Sequence, residues 1–408
     1  MPEQAPWRFQ KIIRPIFDHE PGHHLLRGRV LTCVGDEVIE DGIVEIEGST
    51  IKAVGPASGF GSRASDALDT DGTILPGLIQ SHGHLAWDGI HDLAAQAMND
   101  APEISAYKCA GNMLINLRAG VTTFRDLGMN KTNLFAKQAV AQGIFPGPRL
   151  LVCGEAIIQT GGHTYWCCRE ASGADEMRRA VREQVRGGAD LIKIMACHDT
   201  LEFTDEELAA VVDETHRNGL TVTAHATFDA CIRRCVEFGV DVIEHGGSMS
   251  AETIALLVER RVPIVTTFAP VVVQSQPEIA RKYNIPDWKI EERKRQVSDR
   301  SRYQGLVDAA EAGVVIAFGT DCGSPAVAHN VIAPELAFMV EIGVKKDAYD
   351  AIRSATIVAA RVSKLDKKIG TLEAGKLADV IVVAGNPLED LDAIESVRMT
   401  FLEGKRMV

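Results

Sequence analysis

From Thr73 onward the chain repeats one arrangement: a short apolar or β-branched run, a polar residue or glycine, then a stretch of helical periodicity. The strand-like runs are residues 74–82 (ILPGLIQSH), 121–126 (VTTFRD), 149–154 (RLLVCG) and 190–196 (DLIKIMA). They continue at 220–225 (LTVTAH), 241–246 (DVIEHG), 262–268 (VPIVTTF) and 314–321 (VVIAFGTD). Apolar runs without alternation belong to parallel strands covered on both faces. Between them, Thr204 and Glu207 form a capping-box pair ahead of a helix that ends at Gly219. DACIRRCVEFG and AETIALLVERR repeat the amphipathic period. Eight such units predict a closed (β/α)8 TIM barrel rather than an open sheet. The stretch 270–300 is charged and weakly periodic, and reads as a loop or helical excursion over the barrel mouth.

The two ends of the chain follow a different pattern. Residues 25–54 alternate apolar and polar positions between glycine turns, and residues 370–408 do the same. Two half-sheets of this kind predict one small β-sandwich domain built from both chain ends. The expected boundaries are 1–72 and 369–408 for that domain and 73–368 for the barrel. Residues 1–24 carry no assignable pattern.

Composition narrows the function. The chain has 408 residues, 46% of them hydrophobic, so it can bury a large core. A net charge of −13 argues against nucleic acid or an anionic membrane as partner, since both need basic surfaces. No run approaches the ~18 apolar residues of a membrane span, and the N-terminus lacks the apolar core of a secretory signal. Nine cysteines without a CxxC pair fit reduced thiols in a cytoplasmic protein, with Cys231 and Cys235 filling core on one helix face.

The candidate chemistry lies at the strand ends, which in a barrel share one mouth. His82 and His84 follow the first strand, Asp126 the second, His225 the fifth, His245 the sixth and Asp321 the eighth, with Lys193 inside the fourth. A single histidine at a strand end is usually structural, and an aspartate there often caps the next helix. Four histidines on one rim with Asp321 and Lys193 fit a divalent cation such as zinc instead. In His82-x-His84 the i,i+2 spacing turns both imidazoles to one face, and Gly83 is expected to leave room for the ion.

The motifs PGLIQSHGHL, LIKIM, TAHA, IEHG, GTDCG and IGTLEAGKLADVIVV resemble the amidohydrolase superfamily over residues 25–408. They are similar in particular to its imidazolonepropionase-like and metal-dependent dipeptidase branch, which includes prolidase-like and ochratoxin-cleaving enzymes. The resemblance implies one or two divalent ions, with His82, His84 and Asp321 at the first and His225 and His245 at the second. Lys193, carbamylated by CO2, bridges them. It further implies that metal-activated water attacks a carbonyl carbon while Asp321 takes the proton and passes it to the leaving nitrogen. His163, in QTGGHTYW after strand three, is expected to hydrogen-bond the substrate carbonyl or carboxylate. Tyr165, Trp166 and Phe228 are candidates for the pocket wall, with His198 and His329 as secondary candidates. His19, His23, His24, His91 and His216 read as solvated or structural.

The expected activity is hydrolysis of a C–N bond in a small molecule, an N-acyl amino acid or dipeptide-like linear amide, by a homo-oligomeric enzyme. Related enzymes often carry a tyrosine soon after the strand-five histidine, whereas this chain reads His225-Ala226-Thr227-Phe228. A cyclic imidazolone-like amide, an aryl amide, a carbamate or a urea therefore stay open as substrates. Deamination is disfavoured by Lys193, and a non-catalytic scaffold by the complete set of six candidate ligands.

Overall fold

The computed structural model of the chain describes residues 21–90 and 92–408. It begins with β1 (His23–Leu31), β2 (Val38–Glu47), β3 (Thr50–Pro56) and β4 (Leu68–Pro76). The barrel strands follow: β5 (Leu78–Gly83), β6 (Val121–Asp126), β7 (Arg149–Val152), β8 (Ile157–Gln159) and its partner β9 (Arg169–Ala171). They continue with β10 (Leu191–Met195), β11 (Thr221–Phe228), β12 (Val242–Ser248), β13 (Ile264–Val265) and β14 (Ile316–Ala317). Every barrel pairing is parallel. A parallel bridge from Gly83 to Cys322 closes the circle. There the Asp321 N–H donates to the His82 carbonyl (2.8 Å) and the His84 N–H to the Cys322 carbonyl (2.9 Å).

Two of the sequence expectations change. The run 74–82 is not one strand: Ile74–Pro76 ends β4 in the small sheet, and the barrel begins after Gly77. Periodicity cannot show this break, because both halves are fully buried and so both are apolar. Strand three is also divided. β7 pairs with β6, the chain turns at Gly154 (φ +73°), and β8 takes up the pairing with β10.

The small domain is completed by β15 (Val380–Ala384), β16 (Val397–Leu402) and β17 (Lys405–Arg406). Its seven strands run in the order β17-β16-β15-β4-β1-β2-β3, and the β15–β4 pairing joins the two ends of the chain. A bridge from Thr50 to Leu377 rolls the sheet onto itself around Leu26, Val44, Ile46, Val380, Val382 and Phe401. The sandwich is thus one folded sheet. Residues 1–20 of the expected N-terminal part lie outside the described residues.

The outer helices follow the predicted periods. Asp205–Arg217 starts on the Thr204/Glu207 capping box. Asp229–Glu237 buries Cys231, Ile232, Cys235 and Val236, so that cysteine pair is core. The stretch after β13 is a helical excursion, Ala269–Gln274, Pro277–Ala280 and Asp287–Ser298, with its own small core of Val273, Ala280, Ile285, Ile290 and Ala326. Among the described residues no helix is long and apolar enough to cross a membrane.

Candidate active site

All six candidate ligands line one cavity of about 500 Å3 at the C-terminal ends of the strands. His82, His245 and Asp321 form its tightest group, with one ligand atom from each within 4.8 Å of the others. His84 joins through its Nε2, 3.0 Å from Asp321 Oδ1. The His225 ring centroid is 4.6 Å from that of His245. Lys193 sits on β10 opposite Thr223, almost completely buried. Asp126 does not reach this group. Its carboxylate accepts from the Leu85 and Gly128 N–H groups (both 2.9 Å) and from Asn133 (2.8 Å), and so holds the turns after β5 and β6.

Three of the imidazoles are oriented through Nδ1. His82 Nδ1 meets Glu244 Oε2 at 2.7 Å, His84 Nδ1 meets the Gly128 carbonyl at 2.7 Å, and His245 Nδ1 meets Thr267 Oγ1 at 2.6 Å. With Nδ1 engaged in each ring, Nε2 is the nitrogen left for the cavity, as metal-binding histidines require. Glu244 is itself fully buried and takes a second bond from Arg125 Nη1 (2.6 Å) and one from the Thr223 hydroxyl.

The backbone here is strained: Asp321 (φ +56°) and His245 (φ +71°) both occupy the left-handed region, which is costly for side chains with a Cβ. Gly83 plays a different part from the one its sequence suggests. A Cβ there would come within 2.5 Å of Cys322 Sγ and Phe124 Cζ, so the glycine makes room for barrel closure and not for an ion.

Electrostatics suit a cation. Burial, then the charge of Lys193, pulls His82 below the ordinary imidazole range against the pull of Glu244. Burial and neighbouring histidine and Lys193 charge do the same to His225 and His245. Each downward shift favours the neutral ring, whose lone pair can bind a cation. His84 shifts the other way, because burial is outweighed by the hydrogen bond to Asp321 and its charge. Burial would raise the Asp321 carboxyl, but the His84 hydrogen bond and the neighbouring His82, His84 and His245 rings outweigh it and pull it below the ordinary carboxylate range. Burial also depresses Lys193, and none of the ion pairs among the described residues includes it.

His163 stands at the same cavity, its ring stacked on His198 at 4.3 Å and 5.3 Å from His225. Burial, then His198 and Lys193, lowers it to about 4. Its backbone N–H donates to Glu202 Oε1 (2.8 Å), so the ring nitrogens are not used in that bond. Of the expected aromatic wall only Trp166 lines the cavity; Tyr165 is exposed, and Phe228 is the N-cap of the next helix. His329 is a buried structural histidine, bonded to the Trp87 carbonyl (2.9 Å) and Asn116 (3.1 Å). His23 pairs with Glu45 (3.1 Å), His24 packs on Phe401 (5.0 Å) and His216 pairs with Asp241 (2.8 Å), while His19 and His91 lie outside the described residues. Unforeseen wall residues are Trp87, Trp288, Met129, Met195 and Arg293. Trp288 and Arg293 come from the excursion, whose lack of periodicity hid which side faces inward.

The sequence and the fold both have known relatives. The chain is 29% identical to ochratoxinase from Aspergillus niger over 373 residues, covering 82% of this chain and 74% of that enzyme. The structure resembles that of a Xaa-Pro dipeptidase with methionine in its active site (TM-score 0.80, 28% identity, 94% of this chain and 99% of that one). It also resembles a prolidase complexed with N-methylphosphonate-L-proline (TM-score 0.79, 26% identity, 94% and 99% covered). The pattern of the amidohydrolase family matches residues 73–407. The chain therefore belongs to the amidohydrolase family, hydrolases of carbon–nitrogen bonds of the amide type that generally depend on divalent metal ions.

Proposed function

We propose that the protein hydrolyses the linear amide of a small N-acyl amino acid or dipeptide, using zinc held by His82, His84, Lys193, His225, His245 and Asp321. The observation that carries this reading is the shared orientation of three imidazoles, whose Nδ1 atoms are engaged by Glu244, Gly128 and Thr267. A structural histidine cluster has no need of three separate second partners that leave each Nε2 available to one cavity. Lys193 supports the same reading. Burial outweighs the charges of Glu244 and Asp321 and holds this amine towards its neutral form, whose lone pair adds to CO2 and, on loss of a proton, yields a carbamate, an oxygen ligand.

When bound, a divalent ion supplies Lewis acidity to a carbonyl oxygen and makes water acidic at neutral pH. The side chains do the rest. Asp321 Oδ1 accepts the proton of the attacking water and returns it to the departing nitrogen, which leaves poorly unless protonated. His163, neutral at pH 7 with its pKa near 4, donates an N–H to the substrate carbonyl in place of the missing tyrosine. Trp87 and Trp166 exclude water and pack against an apolar group of the substrate, with the exposed Trp288 at the rim of the cavity. The named likenesses to a dipeptidase, a prolidase and ochratoxinase favour a linear amide. The tryptophan wall also favours a second reading, an aryl amide, carbamate or urea.

The experiment is metal analysis of the purified protein, joined to a turnover screen of N-acyl amino acids, dipeptides, anilides and carbamates. Activity on a linear amide, lost to a chelator and restored by zinc, is the expected result. Protein that binds no divalent metal and turns over no member of the panel would overturn the proposal.

A further inference from the structure

The helix Asp287–Ser298 is charged along its length, and most of its charges are neutralised locally. Lys289 pairs with Glu292 at 2.9 Å and Lys294 with Glu291 at 2.8 Å. Arg293 differs. It is half-buried, it lines the cavity of the candidate ligands, and none of the ion pairs among the described residues includes it. Its partners are neutral amide oxygens: Nε donates to Gln274 Oε1 at 3.0 Å and Nη1 to Gln296 Oε1 at 2.6 Å. Gln274 is fixed in turn, because its Nε2 donates to the Pro325 carbonyl at 2.7 Å, in the loop that follows Asp321.

Nε and Nη1 are thus each engaged, on different edges of the guanidinium, and Nη2 has no protein partner among the described residues. Withdrawing a cation from water without a countercharge is costly. If the side chain served only to tie the excursion to Gln274, a neutral glutamine or asparagine would do so without that cost. A planar fork with free donors at the wall of a cavity matches a carboxylate, which it can grip with two parallel bonds.

We propose that Arg293 is a specificity-determining residue that binds the free carboxylate of the substrate. It thereby selects amides whose amine part is an amino acid. The inference rests on the amide-hydrolase reading of the same cavity and adds the group that recognises the far end of the substrate. Lys289, the other lining cation apart from Lys193, is already offset by Glu292, so among the described residues Arg293 is the cavity-lining cation of the excursion that no ion pair engages.

The test compares N-acetyl-L-phenylalanine with its C-terminal carboxamide, in turnover at the acetyl bond and in calorimetric binding, on wild type, Arg293→Met and Arg293→Lys. Wild type is expected to favour the carboxylate. Arg293→Met should lower the carboxylate-to-carboxamide ratio of kcat/KM by about 10- to 100-fold, chiefly through KM, in line with the loss of a charged bidentate contact. Arg293→Lys should fall between. Metal content and melting temperature verify that each variant is folded and loaded. An unchanged ratio in folded, metal-loaded Arg293→Met overturns the assignment and leaves the amide-hydrolase reading standing. If no amide in the broader panel is turned over, that reading fails instead. The carboxylate anchor is then judged by binding alone, where equal affinity of wild type and Arg293→Met for N-acetyl-L-phenylalanine overturns it.

Discussion

Replacing Glu244 tests whether a buried carboxylate holds both the barrel interior and His82, a histidine of the proposed metal site. Glu244 is fully buried on β12, and its two oxygens serve different partners: Arg125 at 2.6 Å and His82 at 2.7 Å. Arg125 is also buried, with one further bond to the Ser81 carbonyl at 3.1 Å. Burial would raise the Glu244 carboxyl, but the Arg125 charge and the His82 hydrogen bond outweigh it and hold it well below the ordinary carboxylate range. Glu244→Leu therefore leaves a guanidinium without countercharge inside the barrel, a loss of about 3–5 kcal/mol. The unpartnered Nδ1–H of His82 adds about 1–3 kcal/mol. Against a total stability on the order of 5–15 kcal/mol, that brings the protein close to unfolding.

Arg125→Leu should cost a similar amount by stranding the carboxylate. The double variant Glu244→Leu/Arg125→Leu removes both charges, so its loss should be smaller than the sum of the single losses by about 2–3 kcal/mol. Urea unfolding of metal-free protein at pH 7 measures all three. Chelator competition should show metal affinity falling about 10- to 100-fold in both Glu244 variants, because His82 loses the partner that orients it. Additive losses, agreeing within about 0.5 kcal/mol, would refute the ion-pair argument. Unaltered metal affinity in a folded Glu244 variant would refute the orienting one.

Lys193→Ala should lose most bound metal and turnover, and short carboxylic acids should restore part of both; full activity without them would exclude the carbamate bridge. Gly83→Ala should destabilise the fold by about 1–3 kcal/mol through overpacking against Cys322 and Phe124, read as a lowered urea midpoint, and a neutral result would disprove the closure argument. His329 accepts from Asn116 at Nδ1 and donates to the Trp87 carbonyl from Nε2, so it must be neutral, and burial lowers its pKa from 6.5 to about 4. The unfolded chain binds this proton first as pH falls, so the stability is intact above about pH 6.5 and is lost towards pH 4. Within that window His329→Gln should flatten the pH dependence of unfolding by about 1.4 kcal/mol per pH unit, and an identical slope would refute the linkage.

Which of these features the sequence reveals follows from what each one demands of the chain. Cation binding restricts the residue type to imidazole, carboxylate or a modified amine, and the barrel restricts the place to strand ends. His82, His84, His225, His245 and Asp321 therefore stand out along the chain as polar breaks after apolar runs. Glu244 sits in the same kind of place, one residue before His245, yet its role depends on His82 and Arg125, 162 and 119 positions away. Nothing local marks such a partnership. The strand limits err for a related reason: periodicity records burial, and the small sheet and the barrel both bury residues 74–83 through a continuous turn. The wall of the cavity is the least legible part, since Trp87, Trp288 and Arg293 lie on connecting segments whose inward faces are chosen by packing. In Asp287–Ser298 only Ile290 is buried, too little for a period to show that Arg293 faces the cavity. Fold and the candidate ligand set are thus written in residue type and spacing, whereas the proposed substrate choice is written in contacts between distant loops, and a charge such as Arg293 acquires meaning only once its ion-pair partner is seen to be missing.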